Sequence, residues 1–513
     1  MRHVILISID DLRFDAVRWQ SDQRYWAALG IEPRLDTPTM DALAAESVRF
    51  ARCVSGAGYT PLSHATIFTG CYAQRHGVVN FLNTTCNPDT PTITEHFARA
   101  GYRTLVLAQS SMQRLFCDVN CSLRRVDERY DNDADFLAAL HRRRDEKVLA
   151  FLHLCDVHDP VVRGGDVQPD PTHGLDWELF LRLLYNATPA GPDTTDVLLP
   201  GGKRISYNDL QGIPAGKTPQ EMRRNLQQLF QAYLYGVGKF DRHRFKELIA
   251  GIRSAGVWDE TLLAVFSDHG ESQYWAHPWR LMHGATTEEV VIRVPLLLKI
   301  PGEPARQVEQ LTGLVDLLPT IAEAAGVDLG GAALDGRSLL PTIRDNRPAG
   351  EQYWIENWSH NPSDDDPHIM SRAIRCADGR KYVWNGFDVA WDRLDGMSEA
   401  EFENYAARAT YGNPPSDWLG NEIRNLARQN GRAGAVRALA ARCRPNHFII
   451  DNADNDLTES KPVIVNPQHP RWPEYEQHRQ RMAQLTATPR INRTVGKSDE
   501  EILRHRLAEL GYL

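Results

Sequence analysis

Residues 4–11 read VILISIDD, an apolar run of strand length that ends on two adjacent carboxylates, Asp10 and Asp11. A run with no polar alternation is the pattern of a strand buried on both faces, as in a parallel sheet. Similar runs follow at Tyr102–Ala108, Val148–Leu154, Leu262–Ser267 and Val294–Ile300. Between them lie amphipathic stretches of helical period at Thr37–Glu46, Ser63–Thr69, Thr92–Arg99, Asp133–Arg143 and Pro219–Ser254. Strands alternating with helices predict an α/β fold, with a largely parallel central sheet and helices on both faces. Such sheets place their chemistry beyond the carboxyl ends of the strands. Three of those ends carry acids or histidines: Asp10 and Asp11 after the first, Asp156 and His158 after the third, Asp268 and His269 after the fourth.

Two ionised carboxylates side by side are costly unless a cation or strong donors neutralise them. A divalent metal does so; a helix cap or a surface turn is the structural alternative. Asp268-His269-Gly270-Glu271 repeats the arrangement at a second strand end, with Gly270 permitting a sharp turn beside the ligands. Either group alone reads as a turn, and the two together read as a metal site. The third group is TPLSHATIFTG, residues 60–70, entered through Ser55-Gly56-Ala57-Gly58 and closed by Gly70. Thr60 is thereby placed near a helix N-terminus, where free N–H groups and the helix dipole favour an anion such as a phosphoryl or sulfuryl group. A threonine hydroxyl there either caps the helix or, once a metal or base lowers its pKa, acts as a nucleophile.

Composition narrows the class. The 513 residues are 42% hydrophobic and 24% charged, with no apolar run long enough to span a membrane, so no membrane anchor is expected. A formal charge of −9 disfavours nucleic acid as the main partner. The eight cysteines lack a zinc-finger spacing and read as free thiols. MRHVILISIDD runs straight into a strand and leaves no room for a secretory signal, so a cytoplasmic location is expected.

The motifs ISIDDLRFD, TPTMDALAAESVRF, TPLSHATIFTG, FLHLCDVHDP, FSDHGES and HGATTEEVVIRVPLLLKIPG, followed by LVDLLPTIAEAAG, run in the order seen in sulfatase-like members of the alkaline phosphatase superfamily. The chain resembles that family over about residues 3–340, with a fainter echo in RAIRCADGRKYVWN. The resemblance implies an alkaline phosphatase-like fold in which Asp10, Asp11, Asp268 and His269 are metal ligands. It also implies that Thr60 is both a metal contact and the nucleophile. Sulfatases carry Cys-x-Pro-Ser-Arg here, the cysteine becoming formylglycine; this chain has Thr60 at the cysteine position and His64 at the arginine position. Formylglycine cannot form from threonine. Cys121-Ser122-Leu123-Arg124-Arg125 lacks the proline and is read as a decoy.

Threonine at that position resembles the phosphodiesterases, phosphonate-cleaving enzymes and phosphoethanolamine transferases of the superfamily. The expected activity is therefore hydrolysis of a small-molecule phosphate monoester, diester or phosphonate ester through a phospho-Thr60 intermediate. Sulfate ester hydrolysis without formylglycine and phosphoryl transfer are the rivals, and a non-catalytic binding protein would have lost some of these residues. His283 and His158 read either as leaving-group acid and anion-binding partner or, with Asp156, as ligands of a second metal. His64 is a candidate to bind the transferred anion, and Glu271 and His277 are weaker candidates. Three carboxylates and one imidazole suit zinc or manganese, with calcium the alternative, as one or two ions.

The catalytic domain is expected over residues 1–345, with an insertion or lid at 163–218 rich in Pro, Gly and Asp. A smaller subdomain follows at 346–450, with an antiparallel hairpin formed by Arg372–Cys376 and Lys381–Trp384. Residues 451–513 form an extension whose final helical pattern, Asp499–Leu510, is expected to pack on the body or in a homo-oligomer.

Overall fold

The computed structural model describes residues 1–20, 23–80, 84–158, 188–190, 197–199, 202–205, 219–273, 281–283, 286–358, 369–385, 398–401, 447–457, 459 and 461–485. The central sheet contains β1 (His3–Ile9), β2 (Val48–Val54), β3 (Arg103–Leu107), β4 (Glu128–Tyr130), β5 (Val148–Leu154), β6 (Thr261–Phe266), β7 (Arg293–Val294), β8 (Leu296–Lys299) and β9 (Arg306–Gly313). Its order is β7-β2-β8-β6-β1-β5-β3-β4, with β9 also paired to β2. β1 lies between β5 and β6 and is parallel to both. Its alternating side chains feed two cores, Val4 and Leu6 on one face and Ile5, Ile7 and Ile9 on the other.

Helices cover each face. On the first, α2 (Thr60–Thr69), α3 (Ile93–Arg99) and α7 (Leu317–Ala325) contribute Ile67, Phe97 and Leu318. On the second, α1 (Pro38–Ala45), α4 (Asp133–Arg142), α5 (Pro219–Phe240) and α6 (Lys246–Ser254) contribute Leu43, Phe136, Phe230 and Leu248. The fold is the α/β class expected from the sequence.

Some local expectations change. The run Val294–Ile300 is antiparallel to both of its neighbours, β2 and β6, and is interrupted at Pro295, which has no N–H for the ladder. β2 and β9 were not legible as strands, because Arg49, Arg52, Gln307 and Glu309 break their apolar pattern. The helix expected at Ser63–Thr69 begins three residues earlier, on Thr60 itself. The pattern at Pro219–Ser254 contains a π-helical turn, Asp241–Phe245. The Asp241 carboxylate accepts from the backbone N–H of Thr39 and Met40, each at 2.8 Å, and so satisfies donors at the start of α1.

A second sheet of five antiparallel strands follows: β10 (Gln352–Trp358), β11 (Ile369–Cys376), β12 (Lys381–Asn385), β13 (His447–Ile450) and β14 (Val463–Ile464). It includes the expected hairpin, which turns at Gly379 with φ +95°. α8 (Trp472–Leu485) supplies Tyr475 and Met482 to one face of this sheet. Within the 163–218 insertion, Thr188–Pro189, Val197–Leu198 and Arg204–Ile205 pair as a small antiparallel sheet; most of the remainder, like Asp499–Leu510, lies outside the described residues. Among the described residues no helix is long and apolar enough to cross a membrane.

Candidate active site

β1, β2, β5 and β6 all deliver their carboxyl ends to one edge of the sheet. β1 ends at Ile9, Asp10 follows it, and Asp11 then turns with φ +64°, a left-handed conformation that aspartate tolerates better than most residues. Three contacts hold this turn. Tyr233 on α5 donates its hydroxyl to the Asp11 carbonyl at 2.8 Å and accepts from the Arg13 N–H at 2.9 Å. The Leu12 N–H donates to Ser267 Oγ at 2.9 Å. After β6 come Asp268, His269 and Gly270; a Cβ on Gly270 would stand 2.3 Å from the Val290 carbonyl oxygen, so glycine is required. After β2, Ser55–Gly58 lead into α2, with Pro61 in its first turn, where a missing N–H costs nothing. Gly58 donates its N–H to Asn357 Oδ1 at 2.8 Å, and Ser63 Oγ donates to the Asp268 carbonyl at 2.8 Å.

These supports bring four expected residues together. Thr60 Oγ1 lies 3.3 Å from His269 Nε2 and 3.5 Å from Asp10 Oδ1. His269 Nε2 is also 3.5 Å from Asp10 Oδ1 and 3.5 Å from Asp268 Oδ2. All four side chains are fully buried. Ligand atoms bound about 2.0–2.1 Å from a tetrahedral ion stand roughly 3.3 Å from one another, which is close to these separations. Asp10, Asp268 and His269 form one cluster able to hold a metal ion.

Asp11 lies on the other side of the imidazole. Its Oδ1 is 3.5 Å from His269 Nδ1 and 3.8 Å from His283 Nδ1, forming a second cluster of Asp11, His269 and His283. His283 is 15% exposed at the rim, and its Nδ1 is 3.4 Å from Glu271 Oε2. The His158 ring meets that of His283 edge to face at 5.0 Å.

Electrostatics explain why these groups fit a cation. Burial first, then Glu271, Asp10 and Asp268, push the Asp11 carboxyl well above its usual range, and burial and Asp10 do the same to Asp268. At Asp10 burial acts in the same direction but is outweighed by His158, His153 and His269, which hold it well below. Neither oxygen of Asp11 nor Oδ2 of Asp268 has a hydrogen-bond partner among the described residues. The ion-pair partners described for the three aspartates are histidines, not lysine or arginine. A divalent ion would reverse the mutual repulsion of the carboxylates.

Two expected residues stand elsewhere. Asp156 accepts from Arg244 Nη1 at 2.7 Å, and this cation, on the π-helical turn, neutralises it. The second-metal set of Asp156, His158 and His283 is accordingly not assembled among the described residues; His283 is grouped with Asp11 and His269 instead. His64 is fully buried, with Nδ1 2.8 Å from the Thr60 carbonyl and Nε2 3.0 Å from Ser8 Oγ. Burial lowers its pKa to about 3, so it is a neutral support beneath Thr60 and does not present a positive charge as arginine would. His277 lies outside the described residues. The sequence reading overlooked His153 and Cys155, which form a third cluster with Asp10. His153 sits inside an apolar run and carried no signal beyond being an imidazole in a buried strand.

Fold and site together define an α/β protein of alkaline phosphatase-like architecture with a carboxylate–histidine centre at the carboxyl edge of its sheet. The chain belongs to the sulfatase family, whose model matches residues 2–327. Steryl-sulfatase of Mus musculus is 31% identical over 166 residues, covering 30% of this chain and 24% of the mouse protein. The multifunctional alkaline phosphatase superfamily protein PehA of Trinickia caryophylli is 36% identical over 105 residues, 20% of each chain. These matches thus span about a quarter or less of the curated relatives. The solved structure of phosphonate monoester hydrolase SpPMH from Silicibacter pomeroyi shares the fold, with a TM-score of 0.53 and 22% identity, covering 75% of this chain and 87% of that one.

Proposed function

We propose that this chain is a metal-dependent hydrolase of phosphate or phosphonate esters in which Thr60 is the nucleophile. One observation carries the reading: Thr60 Oγ1, at the first residue of α2, stands 3.3 Å from His269 Nε2 and 3.5 Å from Asp10 Oδ1. The relatives' names include both sulfatases and a phosphonate monoester hydrolase. A threonine that cannot become formylglycine favours phosphorus over sulfur. Asp10, Asp268 and His269 would hold a zinc or manganese ion, which when bound supplies Lewis-acid charge and lowers the pKa of a neighbouring hydroxyl.

Thr60 Oγ1, its proton given up to solvent, attacks phosphorus as the bond to the leaving oxygen breaks, giving a phospho-Thr60 ester; water then adds at phosphorus, and one of its protons restores the Thr60 hydroxyl as the ester bond breaks. The N-terminal end of α2, on which Thr60 stands, would favour the negative charge that develops on the non-bridging oxygens. His283 gives a proton to the leaving oxygen, with Glu271 at its Nδ1 orienting the ring.

The test is a panel of nitrophenyl phosphate, phosphonate and sulfate esters with alkyl counterparts, run on the wild type, Thr60→Ala and His283→Ala. Thr60→Ala should lose about 10⁴-fold or more in turnover, and acid-quenched wild type should carry a phosphoryl adduct on the Thr60 peptide. His283→Ala should slow alkyl esters about 10²-fold or more beyond nitrophenyl esters, which leave without a proton. Near-wild-type turnover by Thr60→Ala would remove the covalent mechanism. Turnover confined to sulfate esters would replace the phosphorus reading.

A further inference from the structure

The two oxygens of Asp10 face different side chains. Oδ1 points to Thr60 and His269, as above, whereas Oδ2 lies 3.2 Å from Nε2 of His153 on β5. That contact is an ion pair, whereas Nδ1 has no hydrogen-bond partner among the described residues, although the residue is only 2% exposed. A buried imidazole nitrogen left without a partner is costly. Its ring is fixed by His64 at 4.9 Å and Phe116 at 5.2 Å, both edge to face, so it is held in place against Asp10. Cys155, two residues further along the chain, completes the group: one ligand atom each from Asp10, His153 and Cys155 lies within 4.8 Å of the others. Cys155 is a free cysteine.

We propose that Asp10, His153 and Cys155 bind a second ion, zinc, with Asp10 bridging it to the ion at Asp268 and His269. Three considerations select zinc. A thiolate, an imidazole and a carboxylate form a mixed donor set that zinc takes in tetrahedral sites, while calcium and magnesium require oxygen. The 3.2 Å between Asp10 Oδ2 and His153 Nε2 approximates the roughly 3.3 Å edge of a tetrahedron about zinc. Three protein ligands leave a fourth position for water or a substrate oxygen, as in sites where zinc is not purely structural. On binding, the Cys155 thiol gives its proton to solvent and Sγ⁻ becomes the ligand, so metal uptake releases a proton. The competing explanation is a simple contact between His153 and Asp10, which needs neither metal nor Cys155.

The experiment uses the full chain, reduced and stripped with chelator, then dialysed against zinc or titrated with cobalt. Wild type should bind two zinc ions per chain and, with cobalt, show a near-ultraviolet thiolate-to-metal charge-transfer band. Cys155→Ser, nearly isosteric, should abolish the band and bind one zinc ion; His153→Ala should also bind one. Asp268→Ala should lose the other ion while keeping the band, which separates failure of this inference from failure of the Thr60 site. Stripped Cys155→Ser should unfold at the wild-type denaturant midpoint, showing that the fold is intact. A single zinc ion in wild type, no cobalt band, or a band that survives Cys155→Ser would each overturn the second site.

Discussion

Buried charge occurs in two regions of this molecule and is treated in opposite ways. Between the loop after the active site and the second sheet, Glu289, Asp454 and Glu459 meet Arg375, Lys381 and Arg52. Arg375 Nε is 3.1 Å from Glu289, Lys381 Nζ is 3.3 Å from Glu289 and 2.5 Å from Glu459, and Arg52 is 2.9 Å from Asp454. Each acid has a strong base beside it. At the sheet edge Asp10, Asp11 and Asp268 are as deeply buried as Glu289, yet their described ion-pair partners are imidazoles. Burial alone therefore does not distinguish a catalytic acid from a structural one; the distinguishing feature is whether the protein supplies the countercharge.

The comparison breaks most visibly by removing a base from the matched network. Lys381→Met removes the cation beside Glu459 and one of the two beside Glu289, and should cost about 3–5 kcal/mol in urea unfolding, as for other broken buried pairs. A loss under about 1 kcal/mol would mean that the two regions are not different in kind. Next in size is chelation, which should abolish turnover and lower stability by roughly 3 kcal/mol relative to protein with metal at about a hundred times its dissociation constant. Lys381→Met should lose stability in both states, since its network holds no metal.

A third effect concerns a histidine that burial keeps neutral. His76 is fully buried, its Nε2 3.2 Å from Thr66 Oγ1 and its Nδ1 accepting from the Val78 N–H at 3.1 Å; burial lowers its pKa to about 3. The unfolded chain takes up this proton first, near pH 6.5, so the contribution to stability is complete above that pH and is lost as pH falls toward 3. Unfolding at pH 7, 6 and 5 should show about 1.4 kcal/mol less stability per unit below 6.5 from this residue, and His76→Gln should flatten that slope. The smallest effect carries the opposite sign. In metal-free protein Asp268→Asn removes one of the crowded negative charges and should raise stability by about 1 kcal/mol, whereas with metal present it should lower it. Equal destabilisation in both states would show that the aspartates are structural.

How much of this was readable beforehand follows from where the information lies. Strand ends carrying Asp10, Asp11, Asp268 and His269 were legible because a strand buried on both faces is a continuous apolar run and its polar stop is conspicuous. β2 was hidden by Arg49 and Arg52, although it delivers Thr60. The fate of Asp156 was not local, since Arg244 lies 88 residues away on a turn that looks like ordinary helix. The direction of β8 was equally invisible, because an apolar run reads the same whichever way its neighbours point. His153 is the instructive omission: in an apolar strand an imidazole passes for a core residue until its neighbours are known.

Asn357 carries a consequence for how the molecule melts. This fully buried residue of β10 accepts from Gly58 in the approach to Thr60 and donates Nδ2 to the Thr286 carbonyl at 2.9 Å, three residues after His283. Beside it, the Glu356 N–H donates to the Gly56 carbonyl at 2.9 Å. Amide groups of the nucleophile loop thus find their partners in the second sheet, and Glu289 finds its base there. A chain cut after residue 345 would leave both unmet, so the two sheets should lose structure in one calorimetric transition, and the nucleophile would owe its rigidity to a segment that contributes no ligand to the clusters around it.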